Sequence, residues 1–258
     1  YVGLRRAARA RGRSPSVTAA RWFAVAVALL VVALCSPLAT TGERLFSAHM
    51  LQHLVLVFAV APALVLAAPV TLVLQATGAS SRQSQVLPLL RSRLVGLLAH
   101  PVFSWLGFAV VMYVTHFSPL YDAALRSDAL HGVEHLLYLS AAVLFWLPVI
   151  RRDPVSGSFP WPGRLLYLFL ALPLQSLLGL AIYSSNVPLY PHYLSEGTRA
   201  AVLADQHLAG AIMWVGGDLC MLAALLLGVA AWARAETRAG IRADAQLDAA
   251  LRAAASAD

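Results

Sequence analysis

Long apolar runs alternate with short polar ones along the chain, and the runs are too long for strands. Six of them approach or exceed the ~20 residues that a helix needs to cross a bilayer. They fall at about 22–39, 46–68, 94–116, 129–150, 164–184 and 201–231. Pro62 and Pro173 lie inside the second and fifth runs and predict kinks, because proline removes one helix hydrogen bond and crowds the preceding turn. Residues 70–93 are amphipathic and Arg-bearing, the pattern of an interfacial segment. Residues 151–164 and 184–199 are rich in Pro, Gly, Ser or Tyr and predict loops. The tail beyond Trp232 is Ala-rich and charged, and predicts a helical or frayed segment outside the bilayer. The pattern therefore predicts an all-α fold, a polytopic transmembrane helix bundle with six visible spans over residues 22–232. A basic stretch precedes it at 1–21 and a tail follows at 233–258. The opening YVGLRRAARARGR is too short and too basic for a signal peptide. It reads as the end of an upstream span, which would make seven.

Composition agrees. The chain is 60% hydrophobic and 12% charged, against about 25% charged in a soluble domain. Its net charge of +7 comes from 19 basic residues, all arginine. Such a charge suggests nucleic acid, but no nucleic-acid motif is present, and the arginines follow a membrane rule instead. All but Arg44, Arg126 and Arg199 fall on one side of the predicted spans. The positive-inside rule then puts the N-terminal stretch and the tail in the cytoplasm of a bacterial plasma membrane. Cys35 and Cys220 lie far apart in apolar runs and read as buried structural thiols rather than a disulfide or metal pair.

This orientation sorts the histidines. All but His100 of the eight fall toward the extracytoplasmic side. His49/His53 and His131/His135 share one spacing, and residues at i and i+4 lie on one helix face, where two imidazoles can share a metal ion. Both pairs sit in the first turns of spans that start on the same side. His116 closes the third span there. Glu134, between the second pair, is placed to orient an imidazole or to partner Arg126. Asp205 is placed either to ligate or to act as an anion at a helix N-terminus. Met50 and Met213 are thioethers which, with imidazole, suit Cu(I). His100 and His192 read as structural or interfacial. Asp218 lies mid-span in GGDL, a stretch that reads as glycine-mediated helix packing. HGVEH also matches the inverted zinc-protease pattern H-x-x-E-H, but no zinc-protease sequence surrounds it. Two facing histidines at equal depth also suit axial haem ligation, although pairs sharing one helix face suit an ion better.

Three motifs carry a family resemblance. LFSAHMLQHLVLVFAVAPALVLAAPVTLVL (45–74), HFSPLYDAAL followed by LHGVEHLLYLSAAVLFW (116–125 and 130–146), and LADQHLAGAIMWVGG (203–217) resemble the polytopic CtaG family of cytochrome c oxidase assembly factors. The resemblance runs from about Trp22 to Gly228. It implies a membrane protein, usually of seven spans, needed to mature a heme–copper oxidase and concerned with its copper. It carries over to His49 and His53; to His116, Tyr121, Asp122, His131, Glu134 and His135; and to Asp205, Gln206, Gly210, Met213 and Trp214. Tyr190 and Pro191 match as well, whereas His207 departs from the family's polar residue. The implied reading is a non-enzymatic assembly factor with a metal site of His49, His53, His116, His131, His135, Asp205 and Met213, supported by Glu134. Its cargo is copper, and its partners are oxidase subunits, a copper chaperone and membrane lipid, with no nucleic acid. A haem- or metal-dependent membrane redox protein and a metal-free assembly scaffold are the alternatives.

Overall fold

Cap residues, rather than the ends of the apolar runs, set where the helices begin. In the computed structural model, which describes residues 1–154 and 159–255, Ser16 accepts from the Ala19 N–H and opens the first span, Val17–Cys35. Such an oxygen satisfies an early N–H that has no intrahelical partner. Ser36 then accepts from the Leu38 N–H and Pro37 starts the short helix Pro37–Gly42, so the first span stops before the expected residue 39. The third span also starts later than expected. His100 Nδ1 accepts from the Val102 N–H at 3.3 Å, and Pro101 takes the first helical position, where its missing N–H does no harm. Residues Arg93–Leu98 form a separate short helix. The third span, Pro101–His116, bends by 70° into Pro119–Leu125.

The second span, Phe46–Ala76, contains a π turn and breaks at Ala68, whose backbone is left-handed at φ 46°. The fourth, fifth and sixth spans are Asp128–Ile150, Trp161–Tyr183 and Arg199–Gln246, and the last helix continues to Ala255. Five of these helices are long and apolar enough to cross a membrane, and the bent pair makes a sixth. The fold is thus an all-α polytopic bundle, with no strand among the described residues. The N-terminal helix Val2–Ala10 packs through Ala8 on Leu72 and Ala76. Residues expected to be interfacial form short helices, including Pro69–Ala76, whose first N–H groups, those of Val70 and Thr71, donate to the Asp153 carboxylate.

The expected kink at Pro62 takes the form of a π-helical turn, Leu56–Val60. Within it the Ala61 N–H donates to the Leu56 carbonyl. The Val57 carbonyl would then look to residue 62, and proline has no N–H. Trp146 of the fourth span supplies the missing donor, its indole Nε1 lying 2.8 Å from that oxygen. A second π turn, Ile212–Gly216, interrupts the sixth span. There the Gln175 amide donates to the Met213 carbonyl at 3.1 Å. The fifth span, by contrast, runs through Pro173 as one helix. It meets the sixth at close range. A Cβ at Gly179 would lie 2.5 Å from the Trp214 nitrogen, and one at Gly210 would lie 2.5 Å from the Tyr183 nitrogen. Cys35 and Cys220 are exposed rather than buried, because both point outward from apolar helix faces that a bilayer would cover. Asp218 accepts from Ser176 at 2.7 Å, so this carboxylate joins the fifth and sixth spans by a hydrogen bond as well as by glycine contact.

Candidate metal centre

The second and fourth spans bring their histidine pairs together. His49 stacks on His131 with ring centroids 5.1 Å apart, and lies 5.9 Å from His135. His53 is 5.6 Å from His135. Within the second span the Nε2 atoms of His49 and His53 are 2.8 Å apart. Glu134 enters between them from the fourth span, with Oε2 4.0 Å from His49 Nε2. His49, His131 and His135 form one group whose donor atoms all lie within 4.8 Å of one another, and His49, His53 and Glu134 form another. Two nitrogens on one tetrahedral ion are roughly 3.3 Å apart for ordinary imidazole bonds, so small side-chain movements convert either group into a coordination shell.

The hydrogen bonding points the same way. His49, His53 and Glu134 are buried, and His131 and His135 are half-buried. Among the described residues, His49 Nδ1, His53 Nδ1, His131 Nε2, His135 Nε2 and both Glu134 oxygens have no hydrogen-bond partner. An unsatisfied buried polar group typically costs about 1–3 kcal/mol. Each neutral imidazole offers one lone pair and the Glu134 carboxylate offers several, and a cation answers such a set. Glu134 was a possible partner for Arg126, but Arg126 pairs with Asp122 of its own helix at 2.6 Å, which leaves Glu134 to the histidines.

His116 approaches from the third span. Its Nδ1 lies 2.7 Å from the Met112 carbonyl, which can only accept, so Nδ1 carries the proton. Nε2 is then a bare lone pair, buried and without a partner among the described residues. This is the arrangement by which metal-binding histidines are fixed in tautomer and direction. The His116 ring is 6.3 Å from that of His53. Met213 of the sixth span lines, with His53, His116, Tyr138 and Gln175, a cavity of about 20 Å³.

Asp205 stands apart from the imidazoles. Its carboxylate accepts from the backbone N–H of Ser47 at 3.2 Å and from the Ser47 hydroxyl. It therefore caps the start of the second span, two residues before His49, because a helix N-terminus presents free N–H groups and positive dipole. Its place is that of a positioning residue. Met50 is fully buried in the hydrophobic core. His100 caps the third span, and His192 uses its backbone N–H to bind Asp122 at 2.9 Å. His207 lies with Nε2 3.1 Å from the Ser185 carbonyl. None of these three joins the cluster.

An aromatic wall completes the site. Tyr138 packs on His53 with ring centroids 4.5 Å apart, and its hydroxyl is 2.5 Å from Thr115 Oγ1. Tyr121 lies 5.2 Å from His49. Tyr193 donates to the Gly42 carbonyl at 3.2 Å and Tyr190 to that of His116 at 3.0 Å. Burial pushes the phenols of Tyr190 and Tyr193 well above their ordinary range, so both stay neutral donors. Tyr138 was absent from the sequence reading, though a signal existed. His131, Glu134, His135 and Tyr138 follow i, i+3, i+4, i+7 spacing, which is a single polar stripe on an apolar helix. Gln52 sits similarly beside His49 and His53, and its amide donates to the Ala33 carbonyl of the first span at 2.9 Å.

Comparison with known proteins places this architecture. An uncharacterized protein of Mycobacterium leprae (strain TN) is 29% identical over 248 residues, covering 92% of this chain and 38% of that protein. An uncharacterized protein of Mycobacterium bovis is 30% identical over 247 residues, covering 92% of this chain and 37% of its own length. The chain thus spans well under half the length of these curated relatives. No solved structure matches it. Residues 1–235 match the family described as cytochrome c oxidase caa3 assembly factor (Caa3_CtaG). With its histidine-bearing spans packed as described, this polytopic chain belongs to the cytochrome c oxidase caa3 assembly factor family.

Proposed function

We propose that the chain binds copper in the cluster of His49, His53, His131 and His135 and releases it to a cytochrome c oxidase under assembly. The observation that carries this reading is the convergence of two i,i+4 histidine pairs from separate spans on His49, which shares one donor group with His131 and His135 and another with His53 and Glu134, the donor atoms of each lying within 4.8 Å of one another. Imidazole with a carboxylate suits copper among the biological metals, and a mixed, incomplete shell suits an ion that must leave again. The protein holds and orients the ion through histidines on two packed helices and the buried Glu134 carboxylate. Its product is a ligand exchange onto an oxidase subunit or a partner chaperone. The space beside His53, about 20 Å³, supports an ion over a haem macrocycle.

The distribution of arginine supports an extracytoplasmic position for this end of the bundle in a bacterial plasma membrane, where an oxidase subunit can receive copper. In cells lacking the protein, the parent chain is expected to restore oxidase activity and the copper content of the purified oxidase. His49→Ala/His131→Ala is expected to restore neither, although it accumulates in the membrane. Full restoration by that variant would rule out delivery through these histidines.

A further inference from the structure

The geometry points to a second, deeper copper position formed by His53, His116 and Met213, so that the ion steps along the second span instead of occupying one fixed site. This inference rests on the copper reading above. Three observations carry it. His116 Nε2 is a buried lone pair whose direction is fixed by the Nδ1–H bond to the Met112 carbonyl at 2.7 Å. It belongs to neither donor group that converges on His49. His116, His53 and Met213 instead line a common cavity of about 20 Å³, and an enclosed space of about 10–15 Å³ already suffices for one water-sized guest.

His53 belongs to both positions. Its Nε2 lies 2.8 Å from His49 Nε2, while the same residue lines the deeper cavity. Its ring is 5.6 Å from His135 on one side and 6.3 Å from His116 on the other. Rings facing one ion from opposite sides have centroids roughly 6 Å apart for ordinary metal–nitrogen bonds, so the His53–His116 spacing admits a shared ion. Two imidazoles and a thioether form a softer set than imidazoles with a carboxylate, and soft sets favour Cu(I). The step is ligand exchange without electron transfer. Bonds from Cu(I) to His49, His131 and His135 break as bonds to His116 Nε2 and the Met213 sulfur form, His53 stays bound, and the charge on copper is unchanged.

The π turn that contains Met213 gives the deeper position its floor. The Gln175 amide holds the Met213 carbonyl at 3.1 Å, which fixes the backbone that carries the thioether. Met213 is buried and lines this cavity.

X-ray absorption of the full chain loaded anaerobically with Cu(I) tests the inference. The parent is expected to show sulfur as well as nitrogen around copper. Met213→Leu, which keeps the volume, is expected to lose the sulfur contribution while still retaining copper. His131→Ala/His135→Ala gives an independent arm, because its remaining Cu(I) is expected to show the sulfur contribution at least as strongly. A nitrogen- and oxygen-only shell in the parent that Met213→Leu leaves unchanged would overturn the deeper position and leave the histidine cluster standing. Failure of the parent to retain Cu(I) or Cu(II) would overturn both readings.

Discussion

The indole Nε1 of Trp146 lies 2.8 Å from the Val57 carbonyl, and that bond joins the fourth span to the π turn of the second. It fixes the register of the two helices that carry His49, His53, His131 and His135. Trp146→Phe keeps most of the ring but removes the donor. Leaving the buried carbonyl unmade should lower stability by about 1–3 kcal/mol. Amide exchange through Leu56–Val60 should quicken with it. Unchanged exchange at those residues would show that the indole bond does not hold the turn.

Asp205 and Ser47 act one step further from the histidine cluster. Asp205→Ala removes the acceptor that caps the second span, and loss of a side-chain cap usually costs about 1 kcal/mol. The expected result is a lower apparent melting temperature with histidine-bound copper still present, only more weakly held. A normal melting temperature together with complete loss of copper would instead make Asp205 a ligand.

The fifth and sixth spans depend on glycine. Gly179→Ala would set a Cβ 2.5 Å from the Trp214 backbone nitrogen, and Gly210→Ala would meet Tyr183 as closely. Neither backbone can yield without parting the helices, so both variants should reduce the yield of folded protein. Gly132→Ala offers a control within the histidine-bearing fourth span, since nothing lies within 4 Å of its added carbon. It should be neutral or slightly stabilising, because alanine is the better helix former. Equal behaviour of the three variants in size-exclusion and thermal stability measurements would contradict the close crossing.

Copper retention should depend on pH in one direction. Protons and metal compete for the same imidazole lone pairs. Affinity should therefore rise with pH and fall on acidification across the acidic range. Equilibrium dialysis against a copper chelator across that range measures it. A flat profile would exclude imidazole as the main ligand.

Much of the bundle was legible in the apolar runs. The ends were less so, because they depend on single caps: Ser36–Pro37 closes the first span early, and His100–Pro101 delays the third. At the candidate site, the i,i+4 pairs were legible because helical spacing alone puts two side chains on one face. That the second and fourth spans face each other follows from packing, which no local pattern records. Asp205 shows the limit best. Its place near the top of the sixth span reads as a ligand or a helix-end anion, and that its carboxylate meets the Ser47 N–H of the second span is a matter of packing. The outward-facing cysteines have the same cause, since an apolar run does not say which face meets lipid.

Elemental analysis of bound copper tests the central claim most directly. The full chain in detergent is loaded with Cu(II), washed, and compared with His131→Ala/His135→Ala. The parent should retain clearly more copper than the variant, with the fold of both verified by thermal melting. Equal copper in the two, or none in either, would contradict a copper centre built from the histidines of the second and fourth spans.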